Sequence, residues 1–382
     1  MNRIVVMALV SCLLPAVWSE TNRAEIIWQR VISDDGGRYI GWPTVARLKN
    51  GDLMVSYSGD RDSHICPWGK VRLVRSSDGG ESWSKPVTVM NGVLDDRDSG
   101  IIELSNGNLV LFWFTSIAYH EYTNVRNAHP EYERHHAKIP SETVRPALGA
   151  FSAVSKDGGE TWSKPVRMPA SAPHGGIELK DGRLLAVGRQ WSVTRGHLKE
   201  DPEERRFPPH PTLAAVESCD GGESWHELAQ LPLGTTFDKT ALCEPHVIEC
   251  EDGTLVCFVR YHVGNQRMLR TVSKDGGRTW SELAETDVDG YPGHLAHLAD
   301  GRILLTYARR KPGRIGEFAL IGDGRCRFVA DDEIELARNG NPDLGYPSSV
   351  QLANGDILSV YYQHPKPNAP AALMATKWRL RK

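Results

Sequence analysis

A glutamate, several arginines and a tyrosine in this sequence stand where they could carry out chemistry together. Glu244 and Arg260 lie sixteen residues apart across one predicted hairpin, and Tyr346 follows later in the segment Gly-Tyr-Pro-Ser-Ser. A guanidinium group binds a carboxylate in a bidentate manner, and a carboxylate beside a phenol can act as its base. These residue types predict a site that holds an anionic substrate and attacks it with an activated phenol.

A phenol nucleophile suits a sugar whose anomeric carbon itself bears a carboxylate. The negative charge of such a substrate would repel an ionised Asp or Glu nucleophile, whereas it does not repel a neutral hydroxyl group. Glu244 as the base and arginines that bind the acid group would complete that site. Because these residues are far apart along the chain, the fold must bring distant segments to one place.

An octapeptide that occurs four times indicates what that fold is. Its pattern is Ser-x-Asp-x-Gly-x-(Ser/Thr)-Trp, in which Asp-Gly-Gly favours a hairpin turn and the Trp offers a large apolar face to neighbouring strands. The intervals between copies are 79, 63 and 55 residues, which indicates a repeat architecture of β-hairpins. The copies are Ser76–Trp83, Ser155–Trp162, Ser218–Trp225 and Ser273–Trp280.

A second repeat has six copies, each an apolar-alternating strand, an Asn-Gly or Asp-Gly turn and another apolar strand. This is the strongest short-range signal of a hairpin. Helical periodicity is almost absent, so the chain is predicted to be an all-β, six-bladed β-propeller of four-stranded antiparallel blades. A degraded fifth octapeptide is expected at Asp323–Phe328. The six copies are Pro43–Asp52, Ser99–Asn108, His174–Arg183, Pro245–Thr254, Gly293–Arg302 and Pro347–Asp356.

The order of strands in a propeller predicts which residues share one mouth of the central channel. Residues that open the inner strands and residues that end the second strands should converge there, whereas the octapeptides should lie at the outer hairpins. Three long loops are expected at the same mouth, as recognition loops or as solvated insertions: Gly59–Gly69, Ala118–Leu148 and Gln190–Thr212. The predicted mouth residues are Trp42, Arg97, Asp98, His174, Glu244, Pro292, Tyr346, Arg61, Arg189, Arg260, Arg309 and Arg310.

The start of the chain predicts export. The first 19 residues have the basic start, apolar run and small-residue end of a secretory signal peptide, with cleavage before Glu20. Residues 20–382 would then form a single propeller domain that carries the catalytic site, in a secreted, periplasmic or cell-surface protein. A lipid anchor at Cys12 is the alternative to a cleaved signal.

Composition limits the other partners. No later stretch is apolar for long enough to span a membrane, and a formal net charge of −3 argues against nucleic acid. The cysteines show no CxxC spacing, so a zinc site is not predicted. Cys250 and Cys257 flank one turn and either form a disulfide or remain free buried thiols.

The octapeptides, the six-fold repeat and the order of Glu244, Arg260 and Tyr346 resemble the sialidase (neuraminidase) superfamily over essentially the whole mature chain. The octapeptides match the Asp boxes, or BNR repeats, of that family, which also occur in non-catalytic propellers. In this resemblance Glu244 matches the catalytic Glu, Arg260 the second arginine and Tyr346 the nucleophile. The third arginine is placed near Arg314, with Arg310 as the alternative.

Two positions depart from the family pattern. Gly41 stands where the family has its first arginine, and Arg97, or Arg38 in a shifted register, would have to substitute for it. The family's proton donor is an Asp in the loop before the first octapeptide, where His64 occupies its place and Asp62 lies two residues earlier. Either side chain can donate a proton, since His titrates near neutrality and burial raises the pKa of an Asp.

Other candidates follow from their position at the mouth. Arg189 occupies in the third blade the place that Arg260 has in the fourth, which makes it a candidate for substrate contact. Trp42 is either a platform for a sugar ring or a residue of the core. No metal or organic cofactor is expected, because the proposed hydrolysis requires none. Three histidines predicted at the mouth have irregular spacing and are weak evidence for a metal: His174, His246 and His294.

The resemblance implies a secreted exo-α-sialidase that hydrolyses terminal sialic acid from glycoconjugates and is a monomer. Arg260, Arg314 and a third cation would bind the substrate carboxylate, and Glu244 would help to deprotonate Tyr346. Two alternatives remain open. One is a glycosidase of the same fold that acts on another acidic sugar, and the other is a propeller that binds glycans without catalysis.

Overall fold

Twenty-four strands in the described residues form six sheets. The structure is a computed structural model that describes residues 23–190 and 212–381. The predicted signal peptide with Cys12, and almost all of the predicted loop Gln190–Thr212, lie outside these ranges. The first thirteen strands are β1 (Ala24–Ser33), β2 (Tyr39–Arg47), β3 (Leu53–Arg61), β4 (Lys70–Ser76), β5 (Val87–Met90), β6 (Asp95–Glu103), β7 (Leu109–Ser116), β8 (Gly149–Ser155), β9 (Val166–Met168), β10 (Ile177–Glu178), β11 (Leu184–Gln190), β12 (Thr212–Ser218) and β13 (His226–Gln230).

The second half of the chain continues the same pattern of four strands to a sheet. Two short 3-10 helices, at Lys239–Ala241 and Ala330–Asp332, lie between strands. The remaining strands are β14 (Leu242–Glu249), β15 (Leu255–Tyr261), β16 (Arg267–Ser273), β17 (Ala284–Asp289), β18 (Gly293–His297), β19 (Ile303–Arg309), β20 (Gly316–Gly322), β21 (Ile334–Arg338), β22 (Gly345–Gln351), β23 (Ile357–Gln363) and β24 (Ala372–Leu380).

The sheets are the six antiparallel blades of a β-propeller, as predicted. In blades one to five the four strands follow one another in chain order, from β2 to β5 in the first blade to β18 to β21 in the fifth. The sixth blade has the order β22-β23-β24-β1, so its outer strand comes from the start of the described chain. Ala24 lies opposite Leu380 in that pairing. This closure ties the two ends of the ring together.

The Asp boxes form the turns between the third and fourth strands, at the periphery. In the third box Asp220 accepts hydrogen bonds from Ser218 Oγ at 2.7 Å and from the backbone N–H of Ser224 at 2.9 Å. The degraded copy keeps part of this pattern, because Asp323 accepts from the backbone N–H groups of Arg325 and Arg327, each at 3.0 Å. The boxes therefore hold turns together far from the mouth.

Apolar side chains between adjacent blades form the core. Trp280 of the fourth box donates its indole N–H to the carbonyl of Gly277 at 2.9 Å and packs with residues of blades three and four. A Cβ added at Gly277 would lie 2.5 Å from Leu185 Cδ1, and its φ is +93°. The turn therefore requires glycine both for its backbone conformation and for its close approach to the neighbouring blade.

Four inner strands share an unusual backbone residue near their start. At each of these positions φ is positive although the residue is not glycine, and the strand pairing shifts register beside it. Such a β-bulge bends the strand and redirects a side chain. The sequence placed these residues before the strands, whereas the structure places them within the strands, at the bulge. They are Trp42 (φ +56°), Asp98 (φ +45°), Glu244 (φ +49°) and Tyr346 (φ +54°).

The predicted loop Ala118–Leu148 contains four short helices. They are only four to seven residues long, which is too short to show helical periodicity in the sequence. The insertion packs on the blade-one loop, where the indole of Trp68 lies edge-on to Tyr132, with ring centroids 6.3 Å apart. No helix in the described ranges is long and apolar enough to cross a membrane. The helices are α1 (Ala118–Glu121), α2 (Thr123–Ala128), α3 (Pro130–His136) and α4 (Ser141–Ala147).

We predict that Asp220→Ala lowers the melting temperature by a few °C, because the turn loses its side-chain acceptor for Ser218 and Ser224. The matched control is Asp287→Ala on the outer strand β17, where the side chain is 86% exposed. Thermal unfolding followed by circular dichroism checks both variants. Equal melting temperatures for the two variants would contradict a structural role for the box.

Candidate active site

The guanidinium group of Arg260 joins the two residues predicted to do chemistry. Its Nη1 lies 2.8 Å and 2.6 Å from the two carboxylate oxygens of Glu244 and 3.3 Å from the hydroxyl oxygen of Tyr346. The side chains of Arg260 and Glu244 are each 16% exposed. Glu244 and Arg260 come from blade four and Tyr346 from blade six, so the fold brings these three predicted residues together.

Burial and charge set the protonation states of this group. Burial acts to raise the pKa of Glu244, but the charge of Arg260 and hydrogen bonds from Arg260 and Tyr346 outweigh it, so the pKa is lowered. Burial, with the negative charges of Glu244 and Asp98, raises the pKa of Tyr346 well above its usual range. The site at rest therefore holds an ionised carboxylate beside a neutral phenol. This is the state in which Glu244 can take the proton of Tyr346.

Arg310, rather than Arg314, lies beside this group. Its guanidinium carbon is 5.7 Å from the ring centroid of Tyr346, and its Nε donates to the carbonyl of Leu344 at 3.0 Å. Within the described residues its buried Nη2 has no hydrogen-bond partner. Arg314 instead forms an ion pair with Glu333, and its side chain is half exposed.

Arg97 and Trp42 form the blade-one and blade-two side of the mouth. The guanidinium carbon of Arg97 lies 4.1 Å from the ring centroid of Trp42, and Nη1 donates to the carbonyl of His64 at 3.0 Å. Trp42 is only 2% exposed, and its ring lies edge-on to Tyr346, with centroids 6.4 Å apart. The structure therefore packs Trp42 into an aromatic cluster, with the guanidinium carbons of Arg97 and Arg61 4.1 Å and 4.8 Å from its ring centroid.

The two candidates for the proton donor have different surroundings. Asp62 lies 2.7 Å from Arg38 Nη1 and accepts a hydrogen bond from the indole of Trp68 at 2.5 Å. Arg38, the other candidate to replace the arginine missing at Gly41, is thus paired with Asp62. His64 lies edge-on to Trp42, with ring centroids 5.0 Å apart. Only His64 has a described contact with the aromatic cluster that contains Tyr346.

Two carboxylates at the mouth received no role from the sequence. Asp343 accepts hydrogen bonds from His64 at 2.9 Å and from Tyr39 at 3.0 Å. Asp98 is 5% exposed, burial raises its pKa to about 7, and in the described chain its Oδ1 has no partner. Asp98 occupies in blade two the bulge position that Glu244 occupies in blade four. The alignment of the repeats could therefore have marked Asp98 as a site residue. For Asp343 the sequence offers only its nearness to Tyr346.

Three buried histidines lie beneath the mouth. Their ring centroids are 4.7 Å to 5.7 Å apart, and the ring of His174 lies 6.0 Å from that of Tyr346. Burial lowers the pKa of all three, so they are neutral at pH 7. Across the described ranges no group of three or more His, Cys, Asp or Glu residues is arranged to hold a metal ion. The three histidines are His174, His246 and His294.

Arg189, near the end of β11 in blade three, contacts residues of the neighbouring blades. Its Nη2 donates to the carbonyl of Thr240 at 3.1 Å, and its side chain lines a cavity of about 300 Å³ with Arg167 and Trp225. Burial raises the pKa of Cys243, the neighbour of Glu244, and the charge of Arg189 acts against this rise. The substrate contact of Arg189 stays a prediction. The six cysteines in the described ranges, which include Cys250 and Cys257, are free.

Comparison with known proteins identifies the family of this chain. Residues 152–359, more than half of the chain, match the BNR repeat-like domain. The chain belongs to the BNR repeat-like domain family. A sialidase of Bacteroides fragilis is 26% identical over 285 residues, which are 66% of this chain and 45% of that protein. The chain thus spans less than half the length of that relative. The predicted membership of the sialidase superfamily, as a divergent member, is confirmed.

Solved structures share the propeller fold. A protein of unknown function from Dyadobacter fermentans superimposes with a TM-score of 0.74 at 22% identity, covering 94% of this chain and 99% of the other. The Hadza microbial sialidase Hz136 gives a TM-score of 0.65 at 18% identity, covering 93% and 68%. The intramolecular trans-sialidase of Ruminococcus gnavus gives 0.60 at 14% identity, covering 93% and 97%. At these identities the likeness shows the fold alone.

We predict that Gly345→Ala destabilises the site. The φ of Gly345 is +128°, and a Cβ there would lie 2.9 Å from Ala308 Cβ and 3.2 Å from Arg310 Nη2. The melting temperature should fall by about 2 to 5 °C. The control is Gly340→Ala, where an added Cβ meets nothing within 4 Å and which should leave the melting temperature nearly unchanged. If differential scanning calorimetry finds Gly345→Ala as stable as the control, the backbone at Tyr346 is not constrained as described.

Proposed function

We propose that this protein is an exo-α-sialidase, a glycoside hydrolase that removes terminal sialic acid from glycoconjugates. The observation that carries the proposal is the contact of one Arg260 nitrogen with both Glu244 and Tyr346. A phenol held against a carboxylate and a guanidinium group is the arrangement needed to attack an anomeric carbon that bears a carboxylate. The confirmed membership of the sialidase superfamily and the B. fragilis relative support the same reaction.

Arginines around Tyr346 supply the binding site for the substrate carboxylate. Arg260 and Arg310 both lie over the ring of Tyr291, with guanidinium carbons 4.3 Å and 5.7 Å from its centroid. The ring thereby supports the two cations side by side. Arg97, from blade two, is the third cation. In this arrangement Arg310 takes the role that the resemblance first gave to Arg314.

The nucleophile works through coupled proton transfer. Since the pKa of Tyr346 is raised, the phenolate does not exist in the resting site. Attack of Tyr346 Oη on the anomeric carbon therefore accompanies transfer of its proton to Glu244, which is ionised because its pKa is lowered. The attack forms a glycosyl-enzyme, and water then hydrolyses this intermediate with return of the proton to Tyr346.

A second candidate function keeps the reaction and changes the sugar. Gly41 stands in place of the family's first arginine, and Arg97 reaches the site from another blade. A carboxylate held by a differently placed third cation would favour a differently shaped acidic sugar. Hydrolysis of another acidic glycan is therefore the alternative that the structure supports.

Tyr346→Phe tests the nucleophile. We expect the turnover of an aryl sialoside to fall by roughly 10³-fold or more, because the covalent intermediate cannot form. Tyr361→Phe is the matched control: this buried tyrosine of blade six bonds to Thr376 and Gln29, and its loss should change turnover little. Wild-type turnover by Tyr346→Phe would remove the phenol from the mechanism.

Arg310→Met and Arg314→Met test which of these two arginines binds the substrate carboxylate beside Arg260 and Arg97. Loss of a charge-assisted bond to the substrate carboxylate should lower kcat/KM about 10- to 100-fold in Arg310→Met. Arg314→Met should stay near the wild-type value, because its guanidinium pairs with Glu333. The reverse order of effects would return the role to Arg314.

A substrate panel separates the candidate functions. Aryl glycosides of sialic acid, of its deaminated analogue and of uronic acids should show release of sialic acid as the fastest reaction. Faster hydrolysis of another acidic sugar would favour the alternative glycosidase. Glycan binding without turnover of any substrate, unchanged by Glu244→Ala, would favour a propeller that only binds glycans.

A further inference from the structure

We propose that His64 and Asp343 form a dyad in which His64 transfers the proton to and from the glycosidic oxygen and Asp343 positions its imidazole ring. This inference rests on the proposed hydrolysis and assigns the residue that supplies its proton. It gives Asp343, which no sequence pattern marked, a role as a positioning residue. An imidazole thus stands in for the single carboxylic acid that the resemblance implies.

The hydrogen bonds of His64 fix which of its nitrogens can react. Nδ1 lies 2.9 Å from Asp343 Oδ1 and 3.0 Å from the hydroxyl oxygen of Tyr39. Tyr39 itself donates to Asp343 at 3.0 Å, so His64 Nδ1–H is the second donor to the same carboxylate. Nε2 has no protein partner among the described residues, and 43% of the side chain is exposed. Nε2 is therefore the nitrogen available to a substrate.

Asp343 is held firmly enough to orient the ring. Besides His64 and Tyr39, it accepts hydrogen bonds from Tyr362 at 3.2 Å and from His364 Nε2 at 3.4 Å. Burial acts to raise the pKa of Asp343, but these donors outweigh it and hold the pKa well below its usual range. Asp343 therefore remains an ionised acceptor. A carboxylate that fixes the tautomer of a catalytic histidine is a known device in enzymes.

The position of His64 suits transfer to a sugar bound at Tyr346. Its ring lies against Trp42, which in turn lies against Tyr346 in one aromatic cluster. Arg97 and Arg61 donate to the carbonyl of His64 at 3.0 Å and 3.1 Å, so the loop backbone is held as well as the side chain. Asp62 is instead bound by Arg38 and Trp68. Of the two loop candidates, His64 is thus the one that is both oriented and available.

The proton transfers balance over the two steps. In the first step Tyr346 Oη bonds to the anomeric carbon, the glycosidic C–O bond breaks, and His64 Nε2–H gives its proton to the leaving oxygen. The proton of Tyr346 passes to Glu244. In the second step the oxygen of a water molecule bonds to the anomeric carbon, and His64 Nε2 takes a proton from that water. The bond between Tyr346 Oη and the anomeric carbon breaks at the same time. Glu244 returns its proton to Tyr346, and both acid–base groups are restored.

The charges around His64 determine the expected pH dependence. Burial lowers the pKa of His64, Asp343 opposes this, and the charges of Arg97 and Arg61 add to the lowering. Arg61 is paired with Asp95 at 2.5 Å. Since the first step needs protonated His64, kcat/KM should fall as the pH rises through the pKa of His64. Removing the charge of Asp343 should move this fall to lower pH.

The first experiment compares leaving groups. We expect His64→Ala to lower kcat/KM for an alkyl sialoside by about 10²- to 10⁴-fold, because its leaving oxygen needs a proton. For an aryl sialoside with a strongly acidic phenol the loss should be under about tenfold, because that leaving group departs without protonation. Equal losses on both substrates would overturn the acid role. If Asp98→Asn, and not His64→Ala, lost much more activity on the alkyl than on the aryl sialoside, Asp98 would be the general acid.

The second experiment tests whether Asp343 sets the pKa of His64. A residue that only stabilises the fold would not change that pKa. Asp343→Asn should shift the alkaline limb of the kcat/KM profile to lower pH, and the His64 imidazole C2–H resonance should titrate at lower pH by NMR. The control is His226→Gln, which removes an imidazole that lies 2.9 Å from Glu217 on the outer strand of blade three and should leave both unchanged. An unmoved His64 titration in Asp343→Asn would overturn the dyad.

The NMR measurement needs no substrate, so the two proposals can fail separately. If the wild-type protein hydrolyses no sialoside, the proposed function fails, whereas a shifted His64 titration in Asp343→Asn would still support the pairing. If the wild type hydrolyses sialosides but His64→Ala keeps full activity on the alkyl substrate, the proposed function stands and the dyad is wrong.

Discussion

The ion pair of one largely covered cation, Arg260, is the interaction on which the site depends. Its Nη1 meets the carboxylate of Glu244 and the hydroxyl of Tyr346, so one positive charge fixes groups from two blades. An ionised carboxylate in so covered a place would be costly without that cation, and the cation would be costly without the carboxylate. The same pairing keeps Glu244 ionised while Tyr346 remains a neutral phenol. Position and protonation state therefore have one common cause.

The backbone reaches this arrangement through a bulge that four blades repeat. Trp42, Asp98, Glu244 and Tyr346 occupy corresponding points of their inner strands, each with a left-handed φ. A non-glycine residue pays on the order of 1 to 2 kcal/mol for that conformation, and the surrounding propeller must hold it in place. The bulge interrupts the alternation of the strand and redirects side chains at the mouth. The irregular backbone positions of the propeller therefore lie at the mouth, where the reactive side chains meet.

Departures from the family pattern are concentrated on blade one and its neighbours. Gly41 leaves out a cation that Arg97 approaches from blade two, and His64 with Asp343 occupies the place of an acidic side chain. His64 and Asp343 are 279 residues apart in sequence and belong to blades that meet where the ring closes. The helices between β7 and β8 pack against the loop that carries His64. These residues come from blades six, one and two, whereas Glu244 and Arg260 come from blade four.

Repeated local patterns predicted the propeller, because Asp-Gly turns and alternating strands act over a few residues and recur along the chain. The sequence also predicted that Glu244, Arg260 and Tyr346 would share the mouth, since each lies at a fixed offset from such a turn. It did not predict the short helices of the insertion or the difference between Arg310 and Arg314. Asp343 and the contacts of His64 also depended on the tertiary structure. Whether an arginine faces a tyrosine or a distant glutamate is decided by side chains that meet across blades. The spacing of residues along the sequence does not predict such contacts between blades.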